Sequence, residues 1–134
     1  MNTKTLMTVS SIVLGFAGIF ALFAPHELLA ALSSPLTNPL PAIIQLLGAL
    51  YLSFALTNWT AKDSIIGGIY ARPTSLGNFV HFTVGALALA KYQLSGAANA
   101  PLLVVLIVYA VFAIIFGWLV FVHSGIASKH EAQE

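Results

Sequence analysis

The sequence predicts an all-α integral membrane protein, an up-down-up-down bundle of four spans with a short interfacial helix after the first span. Of its 134 residues, 59% are hydrophobic and only 7% are charged, whereas a soluble domain has about 25% charged residues because its surface must be wetted. Four apolar stretches match the roughly 20 residues that cross hydrocarbon. The loops between them have about 17, 12 and 7 residues, and short loops favour antiparallel neighbours.

Charge and cysteine content exclude several classes of function. The net charge of +1 is too close to neutral to indicate nucleic acid as a partner. The chain has no cysteine, which excludes disulfides, thiolate metal sites and thiol redox chemistry. The histidines and carboxylates also lack the spacing of metal ligands, so no metal site is predicted.

The predicted elements form a single membrane domain over residues 1–134. The spans contain no acidic residue and cover about residues 5–24, 42–60, 73–93 and 101–123. A short helix is expected at about 25–32, where Pro25 can occupy a first turn and Glu27 favours the positive helix end. Residues 124–134 form a polar tail. A cleaved signal peptide is the alternative interpretation of the first span, but Pro25 follows the plausible cleavage site and three more spans follow.

Small residues follow one face of the first span. Ser11, Gly15 and Gly18 form a stripe of the kind that lets two membrane helices approach closely. Packing within the chain is the favoured interpretation of this stripe, and homodimerisation is the alternative.

Flanking charges predict the orientation of the spans. With both termini on one side, that side holds Lys4, Lys62, Arg72 and Lys129, whereas the other holds Lys91 alone. Because lysine and arginine accumulate on the cytoplasmic side, both termini are expected to be cytoplasmic. The predicted location is therefore the bacterial cytoplasmic membrane.

The third span carries the polar residues that are the main candidates for a functional site. At about 100° per residue, Asn78, Gly85, Ala88 and Tyr92 all lie within roughly 60° of His81. An ionisable residue inside a membrane span is a candidate functional residue because burying it is unfavourable. This stripe is therefore expected to face the interior of the bundle.

Depth in the membrane suggests which residues could share a pocket with His81. His81 lies about 12 Å along its helix from Pro73 at 1.5 Å per residue, and the antiparallel second span reaches that depth near Ser53. The predicted ligand pocket is in the cytoplasmic half and consists of His81, Asn78, Ser53, Thr57, Asn58 and Arg72. Arg72 is expected at its mouth.

Several interpretations of the polar stripe stay open at this stage. In the structural one, His81 and Asn78 only bond across the second and third helices. No cofactor is predicted, although haem and quinone remain alternatives. A b-type haem needs two facing histidines, and the pair His81 and His123 differs by roughly 10 Å in depth. A proton-coupled transporter usually uses a membrane carboxylate, and the predicted spans contain none.

A family resemblance agrees with the predicted fold. The block from LGALYLSFALTNW through IGGIYARPTSLGNFVHFTVGALAL resembles small four-span bacterial membrane proteins, broadly of the DoxX-like sort. The short helix with Pro25 after the first span and the overall size add to this resemblance. It implies a four-helix membrane bundle, and it implies no activity or catalytic residue.

Two hypotheses of function follow. The first is a non-enzymatic membrane protein, either an accessory protein or a bundle that binds a lipid- or isoprenoid-type ligand at the polar pocket. The second is a membrane redox component or small proton-coupled transporter that uses His81. The expected partners are the lipid bilayer and a lipid-like small molecule or another membrane protein; homo-oligomers stay open and nucleic acid is not expected.

Overall fold

The computed structural model of the protein describes residues 3–32, 34, 37–63, 71–96 and 99–123. All regular elements in this part of the chain are helices, which confirms the predicted all-α class. Four are long and one is short, in the predicted order. Their bounds are α1 Thr3–Phe23, α2 Pro25–Ala31, α3 Leu40–Ala61, α4 Ala71–Leu94 and α5 Ala100–Trp118, the last continued by a π-helical turn over Leu119–His123.

Three helices are long and apolar enough to cross a membrane. By length and composition these are α1, α3 and α5 continued to Phe121. The predicted third span, α4, is not among them. Its 24 residues are sufficient in length, but Asn78, His81, Arg72 and Lys91 lower its hydropathy.

The chain divides into two compact units, Met1–Asp63 and Ser64–Glu134. In the first unit, α1 and α3 are antiparallel, because residues near the start of α1 contact residues near the end of α3, and the reverse holds at the other end of the pair. Near the N-terminus of α1 the Lys4 ammonium pairs with the Asp63 carboxylate at 2.7 Å. Near its C-terminus the Gln45 side chain donates to the Leu22 carbonyl at 3.2 Å. We call this unit the first hairpin.

Glycines allow α1 and α3 to cross closely. A Cβ built on Gly18 would lie 2.9 Å from the Gly48 carbonyl oxygen, and one built on Gly48 would lie 2.9 Å from the Gly18 carbonyl oxygen. The Ser11 hydroxyl donates across the same interface to the Ala55 carbonyl at 2.7 Å. The small-residue stripe therefore packs within the chain, as predicted.

The short helix α2 follows the sequence signals at its start. Pro25 occupies its first turn and Glu27 lies in the same turn, as expected from the fixed φ of proline and the positive end of the helix dipole. Leu29 is buried, while His26 and Glu27 are exposed. The structure thus confirms a short helix directly after α1, with Pro25 and Leu29 as its buried residues.

In the second unit, α4 and α5 form an antiparallel pair with an aromatic core, which we call the second hairpin. Phe82 is fully buried and stacks on Phe112 and Phe116 of α5, with ring centroids 4.7 and 5.8 Å apart. Farther along, Gly117 leaves room for the Phe79 ring, whose Cε2 would lie 3.0 Å from an added Cβ.

Side-chain amides close the turn between α4 and α5. The Gln93 amide donates to the Asn99 carbonyl at 2.8 Å and accepts from the Asn99 backbone N–H at 2.9 Å. The Asn99 side chain caps α5 by accepting from the Leu102 N–H at 3.2 Å. Gly96 has φ +86°, a conformation that favours glycine because it carries no Cβ. These contacts set the pairing of α4 with α5.

Candidate functional site

His81 is hydrogen-bonded across the second hairpin. Its Nε2 lies 3.2 Å from the hydroxyl of Tyr109 on α5, and the two rings are tilted with centroids 5.4 Å apart. His81 is partly buried and Tyr109 is buried. An imidazole and a phenol hydroxyl can each donate or accept, so the pair forms a polar contact between α4 and α5 beside the ring of Phe82.

Gly85 determines where the Tyr109 ring lies. A Cβ built on Gly85 would approach the ring, with Tyr109 Cδ1 only 2.6 Å away. The ring therefore packs directly on the α4 backbone one turn after His81. The Phe82 ring contacts the Tyr109 ring edge to face, with the centroids 5.1 Å apart and the ring planes at 76°. We call Gly85, Tyr109 and His81 together the His81 site.

Asn78 lies one turn before His81 and is fully buried. Its amide donates to the Thr74 carbonyl of its own helix at 2.8 Å. Toward the other end of the predicted stripe, Ala88 and Tyr92 are exposed. The polar face of α4 therefore runs from a buried amide, through a partly buried imidazole, to an exposed phenol.

The first hairpin has its own buried polar cluster. Asn58 is fully buried, and its amide donates to the Ser10 hydroxyl at 3.0 Å. That hydroxyl in turn donates to the Met7 carbonyl at 3.1 Å. The Asn58 cluster thus links α1 to α3 by side-chain hydrogen bonds, which stabilise helix pairs in membranes.

The other predicted pocket residues are exposed. Ser53, Thr57 and Arg72 all have solvent-accessible side chains. The Thr57 hydroxyl donates to the Ser53 carbonyl of its own helix at 2.8 Å, a common arrangement for threonine within helices. The face of α3 with Ser53 and Thr57 is not the one that packs on α1, since α1 packs against Gly48, Ala55 and Asn58.

The structure brings together some of the predicted pocket residues and not others. Asn78, His81 and Arg72 belong to α4, whereas Ser53, Thr57 and Asn58 belong to α3 of the first hairpin. The predicted pocket would join residues of both hairpins and stays a prediction. The contact that the sequence analysis missed in the second hairpin is the bond from His81 to Tyr109.

Two partner residues could have been found from the sequence. Tyr109 is the only hydrogen-bonding side chain in the middle of an otherwise apolar span, so it was the natural partner for a polar group on a neighbouring helix. Ser10 lies near the start of α1 and Asn58 near the end of α3. In an antiparallel pair these positions have similar depth in the membrane. Comparing depths, as for His81 and Ser53, therefore predicts that Ser10 and Asn58 are neighbours.

The structure describes only some of the residues that could bind a metal ion or a haem. Among the described residues, no group of three or more histidine, cysteine or carboxylate side chains could hold a metal ion. The backbone of His123 belongs to the turn after α5, but its side chain lies outside the described residues. The predicted haem pair His81 and His123 is therefore not tested.

Comparisons with protein families, curated proteins and solved structures find no match for this chain. The DoxX-like resemblance stays a prediction.

The Asn58 cluster makes a direct prediction about stability. Asn58→Ala should lower the free energy of unfolding in detergent by about 1–2 kcal/mol, because the buried Ser10 hydroxyl oxygen loses the hydrogen bond that the Asn58 amide donates to it. The neighbouring change Thr57→Ala is the control and should stay within about 0.5 kcal/mol, since its exposed hydroxyl bonds only its own helix. Equal losses for the two variants would contradict a role of the cluster in joining α1 to α3.

Proposed function

We propose that this chain is a multi-pass protein of the bacterial cytoplasmic membrane. In this proposal α4 crosses the membrane in addition to α1, α3 and α5, which gives four spans. At 1.5 Å per residue its 24 residues extend about 36 Å, more than the roughly 30 Å of hydrocarbon. Its interior polar side chains Asn78 and His81 have hydrogen-bond partners, which reduces the penalty for burying them.

The proposed orientation follows from the flanking charges. Four spans place both termini on one side, together with Lys4, Lys62 and Arg72, while Lys91 alone lies on the other side. The asymmetry of lysine and arginine supports cytoplasmic termini.

Within this membrane protein we propose a non-enzymatic role in binding a lipid- or isoprenoid-type amphiphile at the His81 site. The observation that carries the proposal is the bond between His81 and Tyr109, which lies beside the buried apolar ring of Phe82. Small-molecule sites typically combine a few oriented polar groups with apolar walls. Large apolar side chains of α4 near His81 are exposed, among them Val80 and Val84. The headgroup would contact the imidazole, and the tail would lie along these side chains.

Replacing His81 tests the binding role. In native mass spectrometry of the protein purified from membranes, a copurifying amphiphile should accompany the parent and be lost from His81→Ala, while the variant keeps its helical content in detergent. Tyr109→Phe, which keeps the ring and removes the hydroxyl, should weaken retention without abolishing it.

A purely structural role for the bond between His81 and Tyr109, which replaces the predicted bond to the second span, predicts a different result for the same variants. If the His81 bond only joins α4 to α5, His81→Ala should lose about 0.6 kcal/mol of stability, the average for such bonds, with bound lipid unchanged. That outcome would reject the binding proposal and leave an accessory membrane protein.

A proton-coupled transporter or redox component is the second candidate. The pairing of a titratable imidazole with a phenol hydroxyl at 3.2 Å favours it, because such pairs can pass a proton. If this candidate is correct, vesicles that contain the protein and a pH-sensitive dye should show a proton flux, and His81→Ala should abolish it. A Soret absorption band in the purified protein would instead support haem binding.

A further inference from the structure

The end of the first hairpin where α1 begins and α3 ends carries a group of charged and aromatic side chains. The Lys62 ammonium lies over the Trp59 ring, 3.2 Å from its centroid. Lys4 pairs with Asp63 at 2.7 Å in the same corner. We call Trp59, Lys62, Lys4 and Asp63 the Lys62 corner.

The charges of the Lys62 corner do not cancel. Asp63 is in direct contact with Lys4, and the hydrogen bond from Lys4, together with the charges of both Lys4 and Lys62, lowers the pKa of its carboxyl. Two lysines thus face one carboxylate, and one positive charge is left over. The helix ends add little, because the positive end of α1 and the negative end of α3 meet here and their partial charges offset one another. The corner therefore has a net charge of about +1, and Lys62 is its lysine outside the direct ion pair.

The Trp59 ring fixes that charge in position. A lysine usually samples many rotamers, and immobilising it on binding is unfavourable. The contact with the ring holds the ammonium by a cation–π interaction before any anion arrives. Trp59 is 47% exposed, as expected for a tryptophan that lies among lipid headgroups.

We propose that the Lys62 corner binds the phosphate of an anionic phospholipid headgroup at the membrane surface. The inference rests on the proposed membrane location, and it concerns a site separate from the His81 site. The Lys62 ammonium would donate to a phosphate oxygen, while the indole ring packs beside the glycerol and upper acyl chains. A zwitterionic lipid has the same phosphate, but its choline cancels the attraction.

Quenching of Trp59 fluorescence by lipids with brominated acyl chains tests this proposal. The chain has two tryptophans, so Trp118→Phe leaves Trp59 as the only reporter. In mixed vesicles, brominated phosphatidylglycerol should be preferred over brominated phosphatidylcholine by about fivefold, the factor expected from one lysine charge at an anionic surface.

Charge variants locate the preference. In the Trp118→Phe background, Lys62→Gln should reduce the preference to near one, and Lys62→Arg should retain it. Lys91→Gln removes one lysine charge from the second hairpin, leaves the corner intact and should retain the preference as well. Equal quenching by the two lipids in the parent, or an unchanged preference in Lys62→Gln, would overturn the proposal.

Two further arms separate the possible sources of failure. Millimolar inorganic phosphate, with the ionic strength matched by chloride, should leave the preference for phosphatidylglycerol unchanged, because the free anion has no acyl chains. Loss of the preference would assign the site to free phosphate and overturn the proposal of phospholipid binding. If neither brominated lipid quenches Trp59, the membrane location itself is wrong, which distinguishes failure of the proposed function from failure of this site.

Discussion

Replacing Gly18 with alanine should destabilise the first hairpin by about 1–3 kcal/mol, the usual effect of overpacking a close contact. The added methyl group would lie 2.9 Å from the Gly48 carbonyl oxygen and 2.9 Å from the backbone nitrogen of Leu52. Backbone atoms cannot turn away as a flexible side chain can, so α1 and α3 must separate. In lipid this separation is especially unfavourable, because van der Waals packing replaces the hydrophobic effect as the main attraction between helices.

Gly15→Ala provides the matched control. Gly15 lies one turn before Gly18 on the same stripe, but its added Cβ would lie 3.7 Å from Ala55 Cβ, an ordinary contact. Alanine there should leave stability unchanged or raise it by up to about 1 kcal/mol through better helix propensity. Both variants can be compared by unfolding in mixed detergent micelles. If Gly18→Ala is as stable as Gly15→Ala, the close crossing at Gly18 and Gly48 is wrong.

Replacing Gly85 with alanine should disrupt the His81 site. The new methyl group would lie 2.6 Å from Tyr109 Cδ1, and the buried ring must move away from α4. We expect a loss of about 1–3 kcal/mol from overpacking, together with loss of the bond between the Tyr109 hydroxyl and His81. A lipid-like ligand held at this site should be lost as well.

Comparing Gly85→Ala with Tyr109→Phe separates the packing of the Tyr109 ring from the hydrogen bond of its hydroxyl. Tyr109→Phe keeps the packing against Gly85 and removes only the hydrogen bond, so it should lose about 0.6 kcal/mol. Gly117→Ala should fall between the two, since the atom nearest the added Cβ is Phe79 Cε2 at 3.0 Å. Thermal unfolding in detergent should therefore rank Gly85→Ala as the least stable. A Gly85→Ala protein as stable as Tyr109→Phe would contradict the packing of Tyr109 on the α4 backbone.

Local patterns predicted the helices and part of the first hairpin. The lengths of the apolar runs gave the four long helices, and Pro25 marked the start of α2 because proline is accommodated in a first helical turn. Ser11 and Gly18 were predicted to allow a close approach, and they lie at the interface of α1 with α3. These features depend on neighbouring residues in the chain, so they are readable from the sequence.

The partners of the polar residues depend on helix rotation, which hydropathy does not encode. Tyr109 is a candidate partner from the sequence, because it is the one hydrogen-bonding side chain in the middle of its span. The helix rotation that turns it toward His81 cannot be deduced, since the rest of α5 offers no polar face. The second span illustrates the same point, because its small residues Ala49, Ser53 and Thr57 recur every four positions along one side of the helix. Its small residues suit a helix contact, yet α3 uses a different face for α1, because the glycine at position 48 allows a closer approach.

The most direct test of the proposed architecture is whether α4 crosses the membrane. The chain has no cysteine, so single Ser64→Cys and Ser95→Cys variants, which flank α4, can be probed with a membrane-impermeant maleimide in spheroplasts. The proposed four-span topology predicts that Cys at position 95 reacts from outside and that Cys at position 64 reacts only after permeabilisation. Equal reactivity of the two positions in sealed spheroplasts would contradict it, since both ends of α4 would then lie on one side of the membrane.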